Sequence, residues 1–278
     1  MVRRISAVRA SWGPLVCANR PDVQQRYRKA MAQYCTGTIN QVYNTRGSRT
    51  PGVQEVLDTR RQSVCVLPLF ALIEFAHDIA LPDEILNSAT ISEIRTLAID
   101  ITLLHNDLLS YPKEEAEGVP HNLVAACRKG GMTAQEAVDR VALEIRQRLV
   151  FLEGALIRAV EMGSRWHCNT VRYIEGVKDV VMANLYWSFH SDRFFSDEQK
   201  TRLLTTRLVD VSLMSDFDKE DMVIETDLHS GQQHGLCRLS NDVASPTNDA
   251  FARACRTEGL KTSLRGTCRQ SEVQSWRE

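Results

Sequence analysis

The sequence lacks long apolar runs, cysteine pairs and an excess of charge of one sign. No stretch of about 18 apolar residues occurs, so no membrane-spanning helix is predicted. The 34 lysine and arginine residues nearly balance the 35 aspartate and glutamate residues, which argues against a global field that would attract nucleic acid. No strand-like alternation or hairpin turn stands out. The chain of 278 residues is therefore predicted to be all-α.

The eight cysteines are scattered along the chain, and none forms a CxxC pair. A chain of this length can bury a large core without covalent cross-links. Cysteines in this arrangement therefore indicate reduced thiols inside the cell, and neither a disulfide framework nor a zinc site is predicted. From this we expect a cytoplasmic protein.

Composition divides the chain into three parts. Residues 1–20 form an atypical basic segment with four arginines and no acid; it resembles a mitochondrial transit peptide, and the alternative is a non-native start from truncation or a mis-joined exon. Residues 21–207 carry helical periodicity and are predicted to form one domain. Residues 208–278 are polar with little periodicity and are predicted to be a tail of low order.

A central helix carries the most informative polar residues. Thr90–Glu93 has the pattern of a capping box, which predicts that the helix begins there. Near its end, Asn106, Ser110 and Glu114 are spaced i, i+4 and i+8 and fall on one face. Their amide, hydroxyl and carboxylate oxygens suit a hard divalent cation such as Mg²⁺. The alternative is a polar last turn with an ordinary cap.

Three segments resemble motifs of class I terpene synthases, most closely the fungal sesquiterpene synthases of the basidiomycete type. Asn106–Glu114 resembles the second metal-binding motif of that family. Trp187–Phe194 resembles its C-terminal signature, which usually ends in Arg-Tyr. Arg60–Ser63, followed by Pro68–Glu74, resembles the segment that carries a diphosphate-sensing arginine. The order and spacing of the three segments match over about residues 20–195.

The resemblance implies a class I terpenoid synthase helical bundle and a carbon–oxygen lyase activity. Such an enzyme ionises and cyclises farnesyl diphosphate with the help of three Mg²⁺ ions, which stabilise the charge on the leaving diphosphate. The implied partner is this isoprenoid diphosphate, with no nucleic acid and no membrane span, in a monomer or a homodimer.

The resemblance also implies roles for individual residues. Asn106, Ser110 and Glu114 would bind one Mg²⁺. The catalytic diphosphate sensor would be Arg60, with Arg61 as the competing choice. The remaining contacts to the diphosphate would come from Lys113, Arg193 and the position of Phe194, which aligns with the usual tyrosine.

Three departures qualify this resemblance. The family's aspartate-rich motif, which holds two of the three metals, has no counterpart between Met1 and Arg60, so we expect a bundle truncated at its N-terminus. Phe194 lacks the hydroxyl of the usual tyrosine. Pro112 lies inside the metal motif and should kink the helix between Ser110 and Glu114. The alternative function is an inactive relative, acting at most as a diphosphate-binding or scaffold protein.

Overall fold

The computed structural model describes residues 20–46, 51–79, 81–161, 168–211, 223–226 and 233–239. Within these residues the chain forms a bundle of nine helices, followed by three short strands. The helices are α1 (Pro21–Arg46), α2 (Val53–Ser63), α3 (Val66–Ala76), α4 (Asp83–Leu86), α5 (Ala89–Ala116), α6 (Leu123–Lys129), α7 (Ala134–Glu161), α8 (Cys168–His190) and α9 (Asp197–Thr206).

The central helix of the bundle is α5. It packs against α7 and α8, while α1 packs against α2 and α3 on another side. Apolar residues are buried around more than one side of α5, including Ile94, Ile99, Leu103 and Leu108. A helix that is apolar on several sides is internal. The predicted helical bundle, with α5 at its centre, is therefore confirmed.

The start of α5 differs from the prediction. The N-cap is Ser88, whose hydroxyl accepts a hydrogen bond from the N–H of Ile91 at 3.5 Å. The capping box predicted at Thr90–Glu93 is wrong, because Ser88 offers the same cap one half-turn earlier. At the other end, α5 continues through Pro112 to Ala116.

A sharp break separates α2 from α3. Cys65 has a φ of 66°, in the left-handed region, and it stands between the last residue of α2 and the first of α3. Close packing against α1 supports this break: a Cβ atom at Gly37 would lie 2.5 Å from the Cβ of Gln62. The break fixes the direction in which the end of α2, with its two arginines, approaches α5.

Three short strands follow the bundle, where the sequence predicts none: β1 (Leu208–Val211), β2 (Val223–Thr226) and β3 (Gln233–Arg238). They form an antiparallel sheet in the order β1-β3-β2. Gln135 of α7 exchanges two hydrogen bonds with the backbone of Arg238. Backbone pairing needs no apolar alternation, so the sequence pattern does not report these strands. Residues 1–19 and 240–278, which include most of the predicted basic segment and tail, lie outside the described residues.

The prediction that every cysteine is a thiol is wrong for one of the described cysteines. Cys168, at the start of α8, is disulfide-bonded, whereas Cys35, Cys65, Cys127 and Cys237 are thiols. A disulfide depends on two Cα atoms approaching within about 7 Å, which spacing along a chain does not reveal. Among the described helices, none combines the length and the apolar character needed to cross a membrane.

Candidate metal and diphosphate site

The polar face of α5 is partly enclosed. Ser110 is fully buried, and Asn106 and Glu114 are half-buried. Within the described part of the chain, the Ser110 hydroxyl has no hydrogen-bond partner. Glu114 accepts a hydrogen bond at Oε2 from the side-chain amide of Asn122 at 3.0 Å. The three oxygen-bearing side chains therefore lie on one helix, with an unpaired hydroxyl between the amide and the carboxylate.

The end of α2 brings Arg60 onto this face. The Arg60 guanidinium donates a hydrogen bond from Nη2 to Asn106 Oδ1 at 2.8 Å, and the same nitrogen lies 2.5 Å from Asp107 Oδ1. Burial lowers the pKa of Arg60, but the nearby Asp107 and Glu114 carboxylates outweigh it, so the pKa is raised. Arg60 therefore keeps its positive charge although its side chain is buried.

Arg61 points elsewhere. Its Nε and Nη2 donate to the two oxygens of Asp100 at 2.7 and 2.8 Å. Asp100 is buried and also accepts a hydrogen bond from Arg148 at 2.9 Å. Arg61 therefore belongs to an ion-pair network between α2, α5 and α7 that is centred on the buried Asp100. Of the two arginines considered for the diphosphate sensor, only Arg60 contacts the metal motif.

Asp107 lies behind the ligand face. It is fully buried, and its Oδ2 accepts a hydrogen bond from the N–H of Leu123 at 2.8 Å. Burial raises the pKa of the Asp107 carboxyl to about 6, against the opposing effect of the Arg60 guanidinium. Asp107 thus joins α5 to the end of α2 and to the start of α6.

The C-terminal signature approaches α5 through Lys113 and Arg193. The Lys113 ammonium donates a hydrogen bond to the backbone carbonyl of Arg193 at 3.1 Å. The Arg193 guanidinium lies 5.5 Å from the ring centre of Phe194 and 5.8 Å from that of Trp187. Phe194 is buried and forms an edge-on contact with Trp187. The structure therefore connects all three sequence motifs, α2 to α5 and α5 to the segment after α8.

The donor set of α5 fits a hard cation. Hydroxyl, amide and carboxylate oxygens are the ligands that Mg²⁺ takes, and the buried, unpaired hydroxyl of Ser110 is an atom that a metal would satisfy. Asn106 Oδ1 accepts the hydrogen bond from Arg60 and has a second lone pair for a cation. No group of three His, Cys, Asp or Glu side chains that could hold a metal comes together in the described residues, at this face of α5 included.

Asn122 is the residue of this site that sequence reasoning missed. It stands immediately before α6, and its side-chain oxygen accepts hydrogen bonds from the N–H groups of Val124 and Ala125. An Asn before an apolar helix signals an N-cap. Its second contact, to Glu114, lies across a loop and has no signal in the sequence.

His105 makes the stability of the folded chain sensitive to acid. It is buried next to Asn106, with Nδ1 3.0 Å from the carbonyl oxygen of Ile101. Burial lowers the pKa of His105 from 6.5 to about 4. The neutral ring stabilises the folded chain fully above pH 6.5, and this contribution is lost as the pH falls from 6.5 through 4. The loss amounts to about 3 kcal/mol.

The prediction is tested by urea unfolding of the wild type and His105→Gln between pH 7 and pH 4. Asp107, with its raised pKa, takes up a proton in the folded chain first and so stabilises it as the pH falls through the same range. The informative quantity is therefore the difference between the free energies of unfolding of the two proteins, in which the effect of Asp107 cancels. Between pH 7 and pH 4, the free energy of unfolding of the variant should rise by about 3 kcal/mol relative to that of the wild type. A difference that does not change with pH would contradict the prediction.

The chain is similar to known proteins in both sequence and fold. Residues 4–149 match the family model described as "Terpene synthase family 2, C-terminal metal binding". The chain is 34% identical to a silphinene synthase from Penicillium patulum over 74% of its own length and 55% of the relative's. It is 31% identical to a (+)-eremophilene synthase from Gibberella fujikuroi, over 69% of the chain and 54% of the relative.

A sesquiterpene synthase from Cyclocybe aegerita is 25% identical over 71% of the chain and 57% of the relative. The chain thus spans about half the length of the relatives it matches. Among solved structures, a linalool/nerolidol synthase from Streptomyces clavuligerus has a TM-score of 0.62 at 21% identity, covering 67% of this chain and 65% of that one. An α-eudesmol synthase has a TM-score of 0.59 at 21% identity, covering 65% of this chain and 60% of that one. At such identities the structural likeness establishes the fold alone.

Proposed function

This chain belongs to the terpene synthase family, and on that premise we propose that it is a sesquiterpene synthase, which ionises and cyclises farnesyl diphosphate in the presence of Mg²⁺. The name of one relative, a sesquiterpene synthase, supports a substrate of fifteen carbons. The chain spans about half the length of these relatives. Whether this half has the activity by itself is therefore part of the proposal and can be tested directly.

One observation carries the proposal. The guanidinium of Arg60 contacts Asn106 on the same face of α5 that presents Ser110 and Glu114. A fixed cation and a set of oxygen ligands are thereby brought to one place, which is the arrangement that a metal–diphosphate complex needs. Arg61, engaged with Asp100, supplies no such contact.

The chemistry is the heterolysis of the bond between C1 of the isoprenoid and the diphosphate oxygen. Bound Mg²⁺ would stabilise the negative charge that develops on the leaving diphosphate. Arg60 adds a positive charge that burial and Asp107 hold in place, so little reorganisation is needed when the bond breaks. Lys113 and Arg193 would donate further hydrogen bonds to the diphosphate oxygens. Ile99, on the ligand side of α5 and beside a cavity, would supply apolar wall for the resulting cation.

The proposal is tested by incubating the purified chain with farnesyl diphosphate and Mg²⁺ and analysing the volatile products by gas chromatography–mass spectrometry. We expect a sesquiterpene hydrocarbon or alcohol, and we expect it to disappear when EDTA removes the metal. Geranyl and geranylgeranyl diphosphate, assayed in parallel, test the preferred chain length. If no product forms above that of a boiled control, the proposal fails and the inactive alternative is favoured.

A further inference from the structure

Asn122 uses every hydrogen-bonding group of its side chain. Its amide nitrogen donates to Glu114 Oε2 at 3.0 Å and to the backbone carbonyl of Asp107 at 2.6 Å. Its oxygen accepts from the N–H of Val124 at 2.9 Å and from that of Ala125 at 3.4 Å. The side chain is fully buried. One residue therefore caps α6 and also holds α5 at two points that are two turns apart.

These two points lie on either side of a turn of α5 that lacks one backbone hydrogen bond. Pro112 has no N–H, so the carbonyl of Leu108 lacks its helical hydrogen bond between Asp107 and Glu114. The neighbouring N–H of Leu123 adds a hydrogen bond to the Asp107 carboxylate. The start of α6 thus bridges the turn that proline weakens.

The chemical type of the donor matters for a metal ligand. An amide is neutral, so its hydrogen bond fixes Glu114 Oε2 without cancelling the carboxylate charge. Oε1 remains for a cation. A lysine or arginine in the same place would neutralise the carboxylate and compete with the metal.

We propose that Asn122 is a positioning residue that holds the Glu114 carboxylate in place as a Mg²⁺ ligand on the far side of Pro112. This inference rests on the proposed function, because it requires Glu114 to bind the metal. Outer residues that orient a metal ligand typically alter metal affinity by about 10–100-fold when they are replaced.

The test uses Asn122→Ser in the full chain. Serine is a good N-cap, so it keeps the cap of α6, but its hydroxyl does not supply the two amide donors. Mg²⁺ binding is measured by isothermal titration calorimetry in the presence of inorganic diphosphate. We expect the dissociation constant for Mg²⁺ to rise about tenfold. In the product assay, the Mg²⁺ concentration for half-maximal rate should rise by the same factor.

Ser196→Ala is the matched control. Ser196 caps α9 through a capping box with Gln199, and it is exposed. Its loss removes a cap without a contact to the site, so Mg²⁺ affinity should stay at the wild-type value. Thermal unfolding of both variants shows what each cap change does to stability. Should Asn122→Ser fail to fold, Asn122→Thr, which fills more of the space and still caps, carries the same expectation.

The outcomes separate the two claims. If the wild type binds no Mg²⁺ in the presence of diphosphate, both this inference and the proposed function fail. If the wild type binds Mg²⁺ and Asn122→Ser binds it equally well, only the inference fails, and Asn122 is then a helix cap alone. A tenfold loss of affinity in Asn122→Ser, with Ser196→Ala unchanged, supports the positioning role.

Discussion

Replacement of Glu114 by glutamine is expected to lower product formation from farnesyl diphosphate by about 100-fold or more. Glu114 is the single carboxylate of the α5 donor set, beside the amide of Asn106 and the hydroxyl of Ser110. Glutamine keeps the size of the side chain but removes the charge, and Mg²⁺ exchanges its waters reluctantly for a neutral ligand. The loss of a charged ligand should therefore weaken Mg²⁺ binding. Weaker binding in turn reduces the stabilisation of the leaving diphosphate.

Product is measured by gas chromatography–mass spectrometry over a range of Mg²⁺ concentrations, because part of the loss should be recovered at high Mg²⁺ if affinity is what has changed. Glu93→Gln is the control: Glu93 lies on the same helix, is exposed, and pairs with Arg158 at the opposite end. It should retain wild-type activity. Retention of full activity by Glu114→Gln at limiting Mg²⁺ would contradict the assignment of Glu114 as a ligand.

The ligand face of α5 could be predicted from the sequence because it depends on local geometry alone. In any α-helix, residues spaced i, i+4 and i+8 share one side, and α5 remains helical from Ala89 to Ala116. The bundle could be predicted for a similar reason, since apolar residues on several sides of one segment indicate an internal helix. The roles of the site residues stay predictions, which the substitutions described here test.

The sequence favours Arg60 over Arg61 as the sensor only through the family resemblance, and helix geometry alone gives no preference between them. Neighbouring residues on a helix point about 100° apart, so one of the two must turn away from any given partner. Which one turns away depends on how α2 crosses α5, and that depends on the break at Cys65 and the close packing at Gly37. The contact of Asn122 with Glu114 is likewise a product of packing, since a loop separates α5 from α6.

Substitution of Arg60 should affect stability and activity together, and the two effects can be separated. Arg60→Met removes the cation beside Asp107, which is fully buried. A buried carboxylate that loses its partner typically costs about 3–5 kcal/mol of folding free energy. The remaining hydrogen bond from Leu123 satisfies only one carboxylate oxygen. We therefore expect a large drop in the free energy of unfolding, measured by urea denaturation at neutral pH.

The double variant Arg60→Met/Asp107→Asn distinguishes structure from chemistry. Its neutral amide needs no counter-charge, so much of the lost stability should return. Product formation should nevertheless stay about 100-fold or more below the wild type, because no buried guanidinium would meet the diphosphate. A stable double variant with wild-type activity would show that Arg60 serves only to balance Asp107.

Arg61→Met provides the comparison within the same helix. Asp100 loses two hydrogen bonds but keeps the one from Arg148, so its carboxylate remains paired and the loss of stability should be smaller than for Arg60→Met. Arg61 makes no contact with Asn106 or Asp107 in the described residues, and its replacement should leave the Mg²⁺ dependence of the reaction unchanged. If Arg61→Met abolished product formation while Arg60→Met preserved it, the diphosphate sensor would be Arg61, and the contact between Arg60 and Asn106 would be structural.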